Sequence, residues 1–506
     1  CDFGFVCVHS IISHFFLSIK SGKVAILRKL KKDYIVSVPD RGISCRKLKL
    51  SMRDNAILTE IATVKEEKMT GCFEYQCTYE SERRILHAYT QIFGYLDEYF
   101  KNSNVSSWAN DLDNFIEVIL SNINVVMIKP KNIGYSYALY QIVNDRGVLL
   151  TPAELLKART MELLHHHAIF FDECEKAWDD ILNDPGNETT KFLTWHYAAM
   201  VDQSVAKSKL HEMYEKKIFL CYGKHEITNE EQRELSKQIH MLHQSVKWCR
   251  KLSKGILPVD TVHPQIGDMF KALVVGLKNE IAIPLYINAL RIDNEKVKQK
   301  FIPFITVLVS RFFFSTRTIA NIHNSTISAV YNALSSFAKE PFINYEKMME
   351  VCQEKQIDKS VSNTFSSKMD DSIYSKTATT VSKYLLYLME LFQGCSDVTY
   401  NHILERDESM TILFEKVTTE HIAARSGMDG NILTENQRDC LGNLTLLGGN
   451  KNNNLDSKPF SYKKDIYRES PFAMTRDIAK NNTWGKEDFE KRQLEMKKNA
   501  IKIFII

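Results

Sequence analysis

The chain has 506 residues, of which 44% are apolar and 25% are charged, and its formal net charge is +4. These values are typical of a globular protein with several domains and exclude a disordered or collagen-like chain. The weak positive charge permits a nucleic-acid partner without indicating one. The eleven cysteines form no CxxC pair, which argues against a zinc finger and favours reduced thiols in the cytoplasm.

The first 165 residues mix short apolar runs with helical patterns. The chain starts at Cys1 rather than at Met, which indicates a fragment or a misplaced start. The apolar run from Phe3 to Ile19 has no basic start, so it predicts a buried helix or strand rather than a signal peptide or a membrane span. Apolar residues from Leu86 to Phe100 follow helical spacing.

The start of another helix is well marked near residue 151. Thr151 is a natural N-cap, Pro152 fits the first helical position, and Glu154 completes a capping box. The sequence therefore predicts a capped helix from Pro152 onwards.

Residues 166–400 predict an all-helical region. Long segments such as Glu230–Lys254 and Lys296–Phe314 carry helix-forming residues with few Gly or Pro. Residues 355–380 are rich in Ser, Thr, Lys and Asp, which predicts an exposed loop before the next unit.

From about residue 400 the pattern changes to two short strands. The first is EKVTTEHIAA, and the second is CLGNLTLLGG, which Gly448 and Gly449 close. The polar stretch NKNNNLDSKPFSYKKDIYRES follows and predicts a short helix near its end.

Four polar residues in this region have the chemistry of a phosphodiesterase site. Hydrolysis with one divalent metal needs a base for water, hard ligands for the metal, and a scaffold that aims the base. Glu420 and His421 end the first strand, Asn443 opens the second, and Asn452 follows it. Carboxylate and amide oxygens suit Mg²⁺ or Mn²⁺ better than zinc, and a neutral histidine accepts a proton.

The spacing of these four residues does not by itself decide for such a site. Neighbouring residues on a strand point to opposite faces, so Glu420 and His421 share one site only where the strand end is twisted. On spacing alone the favoured interpretation is a solvent-facing Glu-His pair with asparagines in turns.

A longer pattern surrounds these four residues. It consists of Glu420-His421-Ile422, Gly442 to Leu447, Asn452, Pro459-Phe460, Lys463-Lys464, Trp484 and Arg492. This pattern resembles the C-terminal nuclease domain of the GmrSD family, which comprises modification-dependent restriction endonucleases and their relatives. One departure is Ala423-Ala424-Arg425, where family members usually carry a proline.

This resemblance implies an HNH-type module with a role for each polar residue. His421 would be the general base, Glu420 and Asn452 would hold the metal, and Asn443 would orient the loop that presents His421. A shifted ligand remains open, because further asparagines crowd Asn452.

Two adjacent lysines complete the implied site. Lys463 and Lys464 would contact DNA phosphate, although a solvated helix face explains them equally well.

The segment YQIVNDRGVLLTPAELLKARTM resembles the end of the family's N-terminal domain. That domain is similar to ParB and sulfiredoxin and handles nucleoside triphosphates. Its Asp-Gly-Gln-Gln-Arg signature does not occur in this chain. The resemblance thus implies a nucleoside triphosphate cofactor only where an intact signature lies upstream.

The predicted fold is mainly α with small α+β parts. It comprises a truncated ParB-like nucleotide-binding remnant (residues 1–165), a helical middle domain (166–400) and a C-terminal ββα-metal, HNH-like module (401–506). The expected function is a metal-dependent DNA endonuclease in restriction or defence. Mg²⁺ or Mn²⁺ is the expected cofactor.

The expected partner is DNA, including modified DNA. No membrane contact is expected, and a homo-oligomer is compatible with the sequence. Two alternatives stay open. One is a catalytically degenerate relative that binds nucleic acid or protein, and the other is a helical interaction protein without nucleic-acid contact.

Overall fold

The computed structural model describes most of the chain from residue 150 onwards and short parts before it. The Phe3–Ile19 run, the N-terminal stretch similar to the GmrSD family up to residue 149, and Asn452 lie outside the described residues. Those described are 36–37, 45–46, 55–63, 75–77, 80–101, 114, 117–118, 150–164, 168–224, 226–260, 262–340, 342–424, 432–449, 455 and 458–506.

The described part is mainly helical, which confirms the predicted class. The strands form two antiparallel pairs, β1 (Val36–Ser37) with β2 (Cys45–Arg46) and β3 (Val417–His421) with β4 (Leu444–Gly448). The α-helices are α1 Asn55–Thr63, α2 Glu80–Lys101, α3 Pro152–Leu164, α4 Ala168–Ile181, α5 Gly186–Val201, α6 Leu210–Lys217, α7 Asn229–Leu252, α8 Pro264–Lys271, α9 Ile283–Leu290, α10 Glu295–Phe313, α11 Asn324–Phe337, α12 Tyr345–Asp358, α13 Val361–Lys368, α14 Thr379–Leu391, α15 Asn401–Leu404, α16 Glu435–Arg438, α17 Phe460–Arg468, α18 Ala473–Ile478 and α19 Lys486–Phe504.

The chain divides into two compact units. The first contains residues 1–189 and 224–239, and the second contains residues 190–223 and 240–506. In the first unit, α3 begins with the predicted capping box. The Thr151 amide donates to Glu154 Oε2 at 2.7 Å, and the Glu154 amide donates to Thr151 Oγ1 at 3.3 Å. The fully buried Trp178 of α4 donates its indole hydrogen to Thr160 of α3 at 2.8 Å, which fixes the two helices together.

The second unit is built around α10, whose residues from Phe301 to Phe313 are all buried. The Asn294 side chain caps its first turn, as expected of an N-cap. Among the described residues, the run Glu295–Ile319 is long and apolar enough to cross a bilayer, but 83% of its apolar window is buried inside the protein. That burial is what a core helix requires.

The predicted loop at residues 355–380 is partly wrong. Its first part continues α12 to Asp358, and α13 then covers Val361 to Lys368. Val361, Phe365 and Met369 are fully buried. This spacing of four residues places the three apolar side chains on one helix face, and burying them outweighs the turn-forming composition around them.

The β3–β4 hairpin confirms both predicted C-terminal strands. His421 pairs with Leu444 and Val417 pairs with Gly448 in antiparallel register. One hydrophobic core joins the hairpin to α14, α19 and earlier helices, so apolar packing is continuous across residue 400. The domain boundaries at residues 165 and 400 stay predictions, as do the ParB-like and ββα-metal modules.

Candidate active site

His421 lies at the end of β3 and forms a buried pair with an aspartate. Its Nε2 is 3.0 Å from Asp439 Oδ1, and 5% of its surface is exposed. The ring of Tyr374 meets the imidazole edge-on, with centroids 4.6 Å apart at 80°. A carboxylate on one ring nitrogen fixes the orientation and tautomer of a histidine.

A short capped helix, α16, positions Asp439. Thr434 and Gln437 form a capping box at the start of α16, and Asp439 follows the last residue of that helix. The Asp439 carbonyl accepts the amide hydrogens of Ile373 and Tyr374 at 3.0 and 3.1 Å. Sequence reasoning missed Asp439, because only the hairpin brings it back to the end of β3.

Asn443 is fully buried and its amide is bonded on every side. Its Oδ1 accepts from the Ala423 amide at 2.8 Å and from the Trp484 indole at 3.3 Å. Its Nδ2 donates to the carbonyls of Ala423 and Arg438 at 3.1 and 2.9 Å. The side chain therefore ties the residues after His421 to the turn that carries Asp439.

Helix α19 supports that turn from the other side. Arg492 donates to the carbonyls of Gly442 and Leu444 at 2.8 and 2.9 Å, and Gln493 accepts the Gly442 amide hydrogen. A Cβ on Gly442 would lie 2.9 Å from the Gln493 backbone, so the close approach requires glycine. These contacts explain why Trp484 and Arg492 accompany Asn443 in the sequence pattern.

Glu420, beside His421 in the chain, has different partners. Its carboxylate is 1% exposed and lies 2.7 Å from Lys463 Nζ. The Tyr467 hydroxyl donates to the same oxygen at 3.1 Å. Lys463 also donates to the His421 carbonyl oxygen at 2.6 Å, so this lysine is the link between the two residues.

The predicted phosphate contact of Lys463 stays a prediction, and its surroundings do not support it. Its side chain has 0% exposure, and its charge is paired with Glu420. Lys464, the next residue, is partly exposed, with Nζ 3.2 Å from Asn482 Oδ1. Its contact with DNA stays a prediction.

The described residues meet the needs of a divalent metal only in part. Glu420 offers a hard oxygen, but that oxygen already accepts from Lys463 and Tyr467. Within the described ranges no group of three His, Cys, Asp or Glu residues has metal-binding geometry. The described residues therefore supply only part of a metal site.

Cys440, next to Asp439, is excluded as a nucleophile. Burial raises the pKa of its thiol to about 11, and the carboxylates of Asp371 and Asp439 add to the shift. A thiol attacks as its thiolate, which is scarce at neutral pH with such a pKa.

A cavity of ≈ 410 Å³ lies between the end of α14 and helices α18 and α19. Its lining includes Gln393, Asp477 and Arg492 but none of the His421 pair. The cavity is therefore separate from the candidate site at the end of β3.

Residues 359–499 match the family model described as GmrSD restriction endonucleases, C-terminal domain. The match contains the hairpin, His421, Asp439 and Asn443, and it starts upstream of the predicted boundary at residue 401. No curated protein matches the chain. The N-terminal resemblance lies outside the matched span and stays a prediction. On this match, residues 359–499 are similar to the C-terminal domain of GmrSD restriction endonucleases.

Proposed function

We propose that this protein is a DNA endonuclease of the HNH type that hydrolyses phosphodiester bonds. The family match supports a nuclease related to restriction endonucleases. The observation that carries the proposal is the buried His421–Asp439 pair at the end of β3, held in place by the Asn443 amide.

His421 is the proposed general base. A neutral imidazole that donates its Nε2 hydrogen to Asp439 carries its basic lone pair on Nδ1. This nitrogen takes a proton from water while the water oxygen bonds to phosphorus. The bond from phosphorus to a deoxyribose oxygen breaks, and that oxygen is protonated by solvent.

Asp439 and Asn443 are proposed positioning residues in this reaction. Asp439 stabilises the imidazolium that forms on proton transfer, as an adjacent carboxylate does in general-base catalysis. Asn443 keeps the turn after His421 in a single arrangement, which limits the loss of alignment between base and substrate.

The wider assignment is also a proposal. Dependence on Mg²⁺ or Mn²⁺, with Glu420 and Asn452 as ligands, is supported by the family resemblance. So is action on foreign or modified DNA. A cytoplasmic location is proposed from the cysteines, which form no CxxC pair and are typical of reduced thiols. A nucleoside triphosphate site and a homo-oligomer remain expectations of the same kind.

The test is cleavage of supercoiled DNA by the purified chain with Mg²⁺ or Mn²⁺. His421→Ala should slow cleavage by about 10²- to 10⁴-fold, the usual contribution of a general base. His402→Ala is the control, since its ring bonds to Thr399 outside the hairpin. Undiminished cleavage by His421→Ala would refute the proposed base. DNA binding without cleavage in either metal would favour the degenerate relative.

A further inference from the structure

Lys463 is a fully buried lysine with a specific set of contacts. Its ammonium lies between Glu420 Oε1, at 2.7 Å, and the His421 carbonyl oxygen, at 2.6 Å. Lysine is almost never fully buried unless its charge is paired. Here the pairing joins the two consecutive residues at the end of β3.

Helix α17 brings two side chains to the same carboxylate. Lys463 and Tyr467 are four residues apart, so they lie on one face of the helix. Tyr467 belongs to a buried apolar cluster that also contains Ile422, Phe460 and Trp484, and both Lys463 and Glu420 are shielded from solvent. Attraction between Lys463 and Glu420 is therefore stronger than it would be in water.

We propose that Lys463 is a positioning residue of the candidate active site. Its ammonium balances the charge of the Glu420 carboxylate and thereby holds Glu420 and the end of β3 in place. This inference rests on the proposed nuclease function. The lysine acts through the His421 backbone and the Glu420 side chain and touches no reacting atom.

A consequence follows for cation binding. A divalent cation that approaches Glu420 competes with the Lys463 ammonium for the same oxygen. Lys463 therefore lowers the affinity of this carboxylate for metal, and it keeps Glu420 in one position when metal is absent. A purely structural ion pair elsewhere in the fold has neither effect.

The first test is a titration with Mn²⁺ in the absence of DNA. The electron paramagnetic resonance signal of free Mn²⁺ measures how much of the metal stays unbound. Lys463→Met should bind Mn²⁺ about tenfold more tightly than the unmodified chain, because one like charge near the carboxylate is gone. Lys464→Met is the matched control and should leave the affinity unchanged. Equal affinity in Lys463→Met and the unmodified chain would overturn the proposal.

The second test compares kcat and KM for DNA cleavage. Lys463→Met should lower kcat about tenfold or more, since the base is less well aligned, with little change in KM. Lys464→Met should change KM alone. A rise in KM with unchanged kcat in Lys463→Met would return this lysine to the role of a phosphate contact.

A double variant keeps the inference testable where Lys463→Met folds poorly. Glu420→Gln and Lys463→Met should each lower the urea midpoint, because each leaves a buried group without its partner. The double variant should recover most of that loss, whereas additive losses would overturn the pairing. The urea and Mn²⁺ readouts need no cleavage, so an inactive chain would refute the nuclease proposal while the pairing of Lys463 with Glu420 is still tested.

Discussion

Two buried parts of the second unit treat their polar groups differently. Near the hairpin, the Asn443 amide uses both its oxygen and its nitrogen in hydrogen bonds. On α5, His196 and Tyr197 are fully buried, yet neither His196 ring nitrogen nor the Tyr197 hydroxyl has a hydrogen-bond partner in the described part of the chain. Among the described residues, polar atoms of α5 are left without partners, whereas the Asn443 amide has a partner for each of its atoms; beside it, Arg492 Nη2 has none.

This difference indicates that the helical region is stabilised mainly by apolar packing, whereas hydrogen bonds fix the geometry at Asn443. A buried polar atom without a partner costs free energy, which a large apolar core around α10 offsets by burial. The hydrogen bonds of Asn443 fix the direction of its side chain, which apolar contacts do not specify. Substitutions at the hairpin should therefore lower the free energy of unfolding more than similar substitutions in the helices.

The largest effect is expected from Asn443→Ala. It leaves the Ala423 and Arg438 backbone groups and the Trp484 indole without this partner, at a cost of about 4 kcal/mol in the free energy of unfolding. Asn288→Ala is the comparison, because that buried amide donates to the Ala199 carbonyl. Its cost should be about 1.5 kcal/mol.

Urea unfolding followed by circular dichroism measures both variants. Equal losses at the two asparagines would contradict the stated contrast between hairpin and helices.

Gly442→Ala should destabilise the protein by about 2 kcal/mol, because its Cβ would approach the Gln493 backbone of α19 and overpack the contact. Gly267→Ala is the opposite case. It lies inside α8 with nothing within 4 Å of an added Cβ, so alanine should stabilise the helix by about 1 kcal/mol. Thermal unfolding of the two variants gives the signs, and a neutral Gly442→Ala would contradict the close packing.

His196 should make stability depend on pH. Burial, with a smaller effect of the Arg291 charge, lowers the pKa of His196 from 6.5 to about 3. Below pH 6.5 His196 takes up a proton in the unfolded chain but stays neutral in the folded chain. The free energy of unfolding therefore falls as the pH drops towards 3. The loss is on the order of 1 kcal/mol at about pH 5.5.

His196→Leu should remove this part of the pH dependence. The measurement is urea unfolding of both proteins across this range, with the difference between their free energies plotted against pH. A constant difference would show that His196 takes up its proton equally in both states.

The smallest effect is expected from Lys464→Met. One phosphate contact contributes about 0.9 to the slope of log affinity against log salt, so the slope should fall by that amount. Stability should change by less than about 0.5 kcal/mol, since Lys464 is partly exposed. Fluorescence anisotropy with a labelled duplex at several salt concentrations measures the slope. An unchanged slope would leave Lys464 as a solvated residue.

Local patterns predicted the elements of this fold well. The capping box at Thr151, the long helices and both strands of the hairpin follow from the order of neighbouring residues. Composition misled at Val361–Lys368, where the spacing of a few apolar residues outweighs many polar ones.

The residues of the candidate site were easier to predict from the sequence than the contacts between them. His421 and Asn443 stand out in the sequence, but Asp439 becomes a partner only when the hairpin closes. Lys463 looks like a surface lysine, and its burial depends on where α17 packs against β3. Such contacts join residues that are distant in the chain, and no local period encodes them.

The support of the Gly442 turn has a consequence for the order of folding. Gln493 and Arg492 lie on α19, and Gln493 is 51 residues further along the chain than the glycine it holds. A ribosome makes the hairpin first and this helix afterwards. The hairpin therefore leaves the ribosome before Arg492 and Gln493 can bond to its turn. The site reaches its final geometry only when α19 has emerged and packed against it.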